Sequence, residues 1–149
     1  MSYQERSSTV SIFTSLLIYA AYLFYVFIKF REGSVDMAND LRFWGIVILI
    51  FVPIAIVVRI VIIIIFTIVN TILTQRMDDP SFEDERDKII GLKTARKSIY
   101  VVGFGFLLSL VTLVLRWPPA IMINIIYFSF VLSDLTESVL KIISYRRGV

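Results

Sequence analysis

Residues 43–73 read FWGIVILIFVPIAIVVRIVIIIIFTIVNTIL, and this stretch decides the fold. As an α-helix rising 1.5 Å per residue it extends about 46 Å, more than the roughly 30 Å hydrocarbon core of a bilayer. Its many β-branched residues would favour a strand in water. In lipid a stronger rule applies, because every backbone N–H and C=O must be bonded within its own segment or in a closed barrel. No barrel strand runs this long, and the block does not alternate with period two. The stretch is a transmembrane helix, interrupted in composition only by Pro53, Arg59 and Asn70.

Three more apolar blocks lie outward from it, at 9–28, 99–115 and 120–140. The reading is an all-α, polytopic membrane protein with one transmembrane domain over residues 1–149. Its helices fall at about 9–30, 43–74, 99–116 and 119–143, with a cytoplasmic loop at 75–98. The first block is too long for a signal-peptide core and has only Arg6 before it, so it is expected to remain as a helix.

Composition agrees. The chain of 149 residues is 58% hydrophobic and 18% charged, against roughly 45–50% and about 25% in a soluble domain. A soluble enzyme and a disordered chain are both disfavoured. There is no His and no Cys, so disulfides, thiolate zinc sites, Cys nucleophiles and imidazole bases are excluded within this chain. No catalytic residue, metal site, cofactor or nucleic-acid partner is expected.

Charge sets the orientation. Arg6, Arg76, Arg86, Lys88, Lys93, Arg96, Lys97, Lys141, Arg146 and Arg147 fall on one side, and Lys29, Arg31, Arg42 and Arg116 on the other. The excess of Lys and Arg marks the cytoplasmic side, placing both termini and the loop inside. Trp44 and Trp117 then fall at the outer interface, where an indole is well placed, with Tyr145 as an inner anchor. Pro118 and Pro119 mark a helix start.

The loop residues DDPSFEDERDKIIGLKTARKS (78–98) begin acidic and end basic. Ser81 is a candidate cap with Asp84 three residues on, and Asp84–Lys88 has i,i+4 spacing. With Glu85 and Asp87 in the first turn, a short amphipathic cytoplasmic helix leading into helix three is expected. The acidic run matches no EF-hand loop. A solvated charged helix is the plain reading, and docking of a cytoplasmic partner the sharper one.

Arg59 needs an explanation, since a cation at mid-helix costs at least about 2.5–3.5 kcal/mol on insertion scales. Gly45, Val52, Ile56, Ile63, Thr67, Asn70 and Thr74 fall within about 80° of it around the helix. That stripe should face other helices or water. Counter-charges lie in helix four, NIIYFSFVLSDLTESVLK. Arg59 and Asp134 both lie about 22 Å down their helices, Glu137 about 27 Å. Glu137 is within reach of Arg59 but also stands at i,i+4 from Lys141. Asn70, Asn124 and Ser133 are supporting polar residues, either part of a polar path or helix-to-helix hydrogen bonds. Gly105, Ser109 and Thr112 in helix three and Ser11 and Ser15 in helix one mark close helix approaches. Tyr19, Tyr22 and Tyr25 form an aromatic row suited to packing.

At MSYQERSSTVSIF, FEDERDKIIGLKTARKSIYVVGFGF and SYRRGV the chain resembles a group of small uncharacterised bacterial integral membrane proteins with four helices. Their acidic D-E-x-D-K-x-I-x-L-K stretch reads here Asp84-Glu85-Arg86-Asp87-Lys88-Ile89-Ile90-Gly91-Leu92-Lys93. Such proteins are often encoded beside small helix-turn-helix regulators, which implies a bacterial inner-membrane location and a partner or sensor role. No residue role comes with the resemblance. Two functions are carried forward: a non-enzymatic four-helix membrane module that works through a partner or its own copies, and a small homo-oligomeric transporter or channel that uses an intramembrane carboxylate.

Overall fold

Each apolar block forms a helix, and most of the helices extend past the block that seeds them. The computed structural model describes residues 3–33, 39–74 and 85–147. The helices are α1 (Tyr3–Glu32), α2 (Leu41–Thr74), α3 (Glu85–Val114) and α4 (Pro119–Arg147). All four are long and apolar enough to cross a membrane. The architecture of the described residues is all-α, and its four apolar helices fit a multi-pass membrane protein.

The helix ends follow local chemistry rather than hydropathy. α1 begins at Tyr3 instead of near residue 9 because its polar first turns have partners: the Tyr3 hydroxyl lies 3.1 Å from Thr67 Oγ1, and Glu5 Oε1 3.9 Å from Arg146 Nε. α2 is capped by Asp40, whose Oδ1 accepts from the Phe43 amide at 3.0 Å, an orphan donor of the first turn. α1 ends on Gly33, at φ 62°. α3 ends on Arg116, at φ 56°, and the Trp117 and Arg116 amides return to the Thr112 and Leu113 carbonyls at 3.0 and 3.1 Å. That double bond pattern is a Schellman turn, with Arg holding the left-handed position that Gly usually takes. Pro118 follows and α4 starts at Pro119.

Residues 85–98, read from sequence as a short helix before helix three, are the first half of α3 and run into it without a break. Ser81 and Asp84 lie outside the described residues.

Close packing is strongest between α3 and α4. The buried residues of α3 are Ile90, Thr94, Ser98, Gly105, Ser109 and Thr112, a mostly small stripe at helical spacing. The hydroxyls of Thr94, Ser109 and Thr112 donate to carbonyls in the preceding turn, so none is left unbonded. At Gly105 the helices come closest: a Cβ there would run into the Ser129 Oγ and Cβ, with Ser129 Cα 3.6 Å away. α1 packs on the other side of α4, and α2 packs on α1 and, more sparingly, on α4. Among the described residues α3 contacts α4 alone. α1, α2 and α4 therefore pack on one another, and α3 joins them through α4. A membrane allows this, since lipid can cover what no helix covers.

The common core of α1, α2 and α4 is Tyr22, Trp44, Val47, Ala120 and Tyr127. Tyr22 is 1% exposed, its ring 4.5 Å from Tyr127 and 5.5 Å, edge-on, from Phe51. Trp44, in the first turn of α2, is 5% exposed inside this cluster, where the core is built largely from aromatic rings. Trp117 is exposed. α2 uses one narrow face for packing, and its isoleucines elsewhere are bare.

Gly105→Ala should lower the unfolding midpoint in detergent by the equivalent of about 1–3 kcal/mol. Ser129→Gly placed alongside it should recover most of that loss. Equal midpoints for wild type and Gly105→Ala would show that the helices do not meet there.

Candidate functional site

The site is built on α4, the one helix that reaches the other three. Arg59 on α2 points one guanidinium nitrogen at Asp134, with Nη2 to Oδ1 2.6 Å. The other carboxylate oxygen of Asp134 accepts from the Ser15 hydroxyl on α1. One residue earlier, Ser133 donates to the Ser98 carbonyl of α3 at 2.8 Å. Arg59, Ser15, Ser133–Asp134 and Ser98 thus form one polar layer through all four helices.

Helix periodicity accounts for the layer. Ser133 and Asp134 are adjacent on a helix and so point about 100° apart, toward α3 and toward the α1–α2 side. Only a long side chain can close the distance from α2, which touches α4 sparingly. The arginine stem does this while its head meets the carboxylate. Ser15 completes the shell: its proton also has the Ser11 carbonyl within 3.0 Å, but an ionised carboxylate is the stronger acceptor.

Glu137 does not join the layer. Its Oε1 lies 2.7 Å from Lys141 Nζ along the same helix, the i,i+4 pairing. Asn124, about 15 Å up α4 from Asp134, accepts from the Tyr22 hydroxyl at 2.7 Å and donates to the Ala120 carbonyl at 2.8 Å. It is a helix-to-helix tie. Asn70, about 16 Å down α2 from Arg59, is buried and its Oδ1 lies 3.5 Å from Arg6 Nη1. Together with Tyr3–Thr67 and Glu5–Arg146 it closes the terminal end of the molecule. Glu85 and Lys88 are exposed and Asp87 half-buried at the start of α3, while Asp84 lies outside the described residues.

Beside the layer is a cavity of about 800 Å³ between α2 and α4, with Thr14, Ser15 and Ile18 of α1 also on its wall. Gly45, Val52 and Ile56, members of the stripe drawn through Arg59, line it with Arg59 itself. Three members of the stripe border this gap, while Thr67 and Asn70, further along it, meet Tyr3 and Arg6 of α1. The more buried face of α2 lies about a residue to one side, at Trp44, Val47, Phe51, Ala55, Val58 and Ile62.

Chemically the arrangement is a compensated ion pair. Asp134 has a partner on each oxygen, and no buried side-chain polar atom among the described residues lacks one. No group of three or more His, Cys, Asp or Glu among those residues is placed to hold a metal. The fold and site define a multi-pass, four-helix protein with an ion pair inside its apolar region. Compared with known families, characterised proteins and solved structures, the chain matches none.

Arg59→Ala and Asp134→Ala should each destabilise by about 1–3 kcal/mol, discounted because both side chains are partly exposed. The double variant should be hardly worse than either, a coupling of at least about 1 kcal/mol in reversible unfolding. Losses that simply add would remove the pair from the account.

Proposed function

We propose that the protein is a non-enzymatic module of a bacterial inner membrane that works by association, with copies of itself or with a membrane or cytoplasmic partner. The observation that supports this is the state of α2. It is the most apolar helix of the four, yet none of its most apolar window is buried. Ile50, Val57 and Ile64, spaced seven apart and each more than half exposed, mark the face turned away from α1 and α4. A heptad-spaced apolar face presented by a helix anchored through one ion pair suits contact with a like face. Both termini and the basic first half of α3 lie on the cytoplasmic side in this reading, where Lys88, Lys93, Arg96 and Lys97 meet anionic lipid heads or a partner. The acidic first turn, Glu85 and Asp87, makes that segment the amphipathic docking element.

The chain has no Cys, so single cysteines report on contacts without background. Ile50→Cys, Val57→Cys and Ile64→Cys should each give disulfide-linked dimers on mild oxidation in vesicles. Phe104→Cys and Val111→Cys, on the bare face of α3, should not. Failure of all three α2 positions, or equal linking from α3, would defeat self-association through α2.

The cavity beside Asp134 supports a second reading, a small homo-oligomeric transporter or channel. It requires proton or cation flux into vesicles that Asp134→Asn abolishes. An occupied carboxylate argues against it, because Arg59 and Ser15 already take both oxygens of Asp134.

A further inference from the structure

Arg59 is under-used by the ion pair. A guanidinium carries five N–H donors, and among the described residues Asp134 is its partner, through one nitrogen. The side chain is 38% exposed, and what it is exposed to is the cavity of about 800 Å³. Apart from this end the cavity is apolar, with Leu49, Val52, Ile56, Ile126 and Phe130 among its walls. Its α2 wall from Gly45 to Arg59 is about 21 Å long. Open donors at the end of an apolar groove match an amphiphile: an oxygen-rich anionic head on the donors and a hydrocarbon chain along the walls.

Depth favours a membrane lipid over a free ion. Ser133 is bonded to Ser98, which puts the polar layer at the point where α3 changes from its basic half to its apolar half. On α4 the next charges, Glu137 and Lys141, follow within two turns. On the α4 side of the molecule the hydrocarbon region therefore ends near Arg59. A lipid with its head at that level has its chain directed into the groove. An anionic head suits that end better than a zwitterionic one, because Asp134 is already engaged on both oxygens and leaves a choline cation without a partner there.

We infer that the groove between α2 and α4 is a binding site for one anionic glycerophospholipid, its phosphate paired with Arg59 and one acyl chain lying along Val52 and Ile56. The full-length protein is reconstituted in phosphatidylcholine vesicles, and the motionally restricted fraction of spin-labelled phosphatidylglycerol is compared with that of spin-labelled phosphatidylcholine. Phosphatidylglycerol should be preferred on the order of tenfold, the scale of one charge-assisted contact. Arg59→Gln should erase the preference. Val52→Trp, which fills the groove and leaves the Arg59–Asp134 pair intact, should erase it as well, with helicity unchanged. Equal restriction of the two lipids in wild type overturns the proposal, as does a preference that survives either substitution.

Discussion

An arginine inside an apolar helix must find a negative charge, and that requirement organises this molecule. α2 has almost no other polar reason to face inward; its isoleucines are as content against lipid as against α4. The 2.6 Å contact from Arg59 to Asp134 supplies the missing direction. It sets which side of α2 turns toward α4, and Ser15 on the second carboxylate oxygen brings α1 to the same level. With Ser133 bonded to Ser98 on the opposite flank, α4 holds three helices at one height. The rest of the packing, aromatic between α1, α2 and α4 and small-residue between α3 and α4, is consistent with that common level.

The two halves of the structure are held by different physics. α3 and α4 associate because Gly105 lets Ser129 approach, so backbones come close and many weak contacts add. α2 associates through an aromatic cluster at its start, one charged contact midway and polar contacts with α1 at its end, and between the first two it leaves a gap beside α4. A helix pair built on close fit is rigid; one built on a single long side chain across a cavity leaves room beside it. The bare face of α2 and the groove beneath it both follow from that difference.

Much of this is legible in the sequence, and the exceptions have physical reasons. Four helices follow from block length alone, since lipid leaves the backbone no other choice. Counting 1.5 Å per residue from Trp44 and Pro119 puts Arg59 level with Asp134, where the structure has them bonded. The same count from the end of α1 reaches Ser15, but a lone serine in an apolar run carries no signal without a partner to seek. Hydropathy cannot find helix turns held by side-chain partners, which is why α1 extends beyond its apolar block through Glu5 and Tyr3. Nor can it tell a packed Trp from a bare one: Trp44 is buried between helices and Trp117 is exposed. The face of α2 was the hardest feature to read. The stripe through Arg59 meets α1 at Thr67 and Asn70, whereas at Gly45, Val52 and Ile56 it borders a gap that no count along one helix can foresee.

The central claim, that Arg59 and Asp134 are in direct contact, can be measured as a distance. Rotational-echo double-resonance NMR on the protein in lipid, with ¹⁵N in the arginine guanidinium groups and ¹³C in the aspartate carboxylates, reads that coupling. The account predicts dephasing at the range of a hydrogen-bonded salt bridge in wild type that disappears in Asp134→Asn and persists in Glu137→Gln. A wild-type signal without such dephasing, or one lost in Glu137→Gln instead, would contradict it.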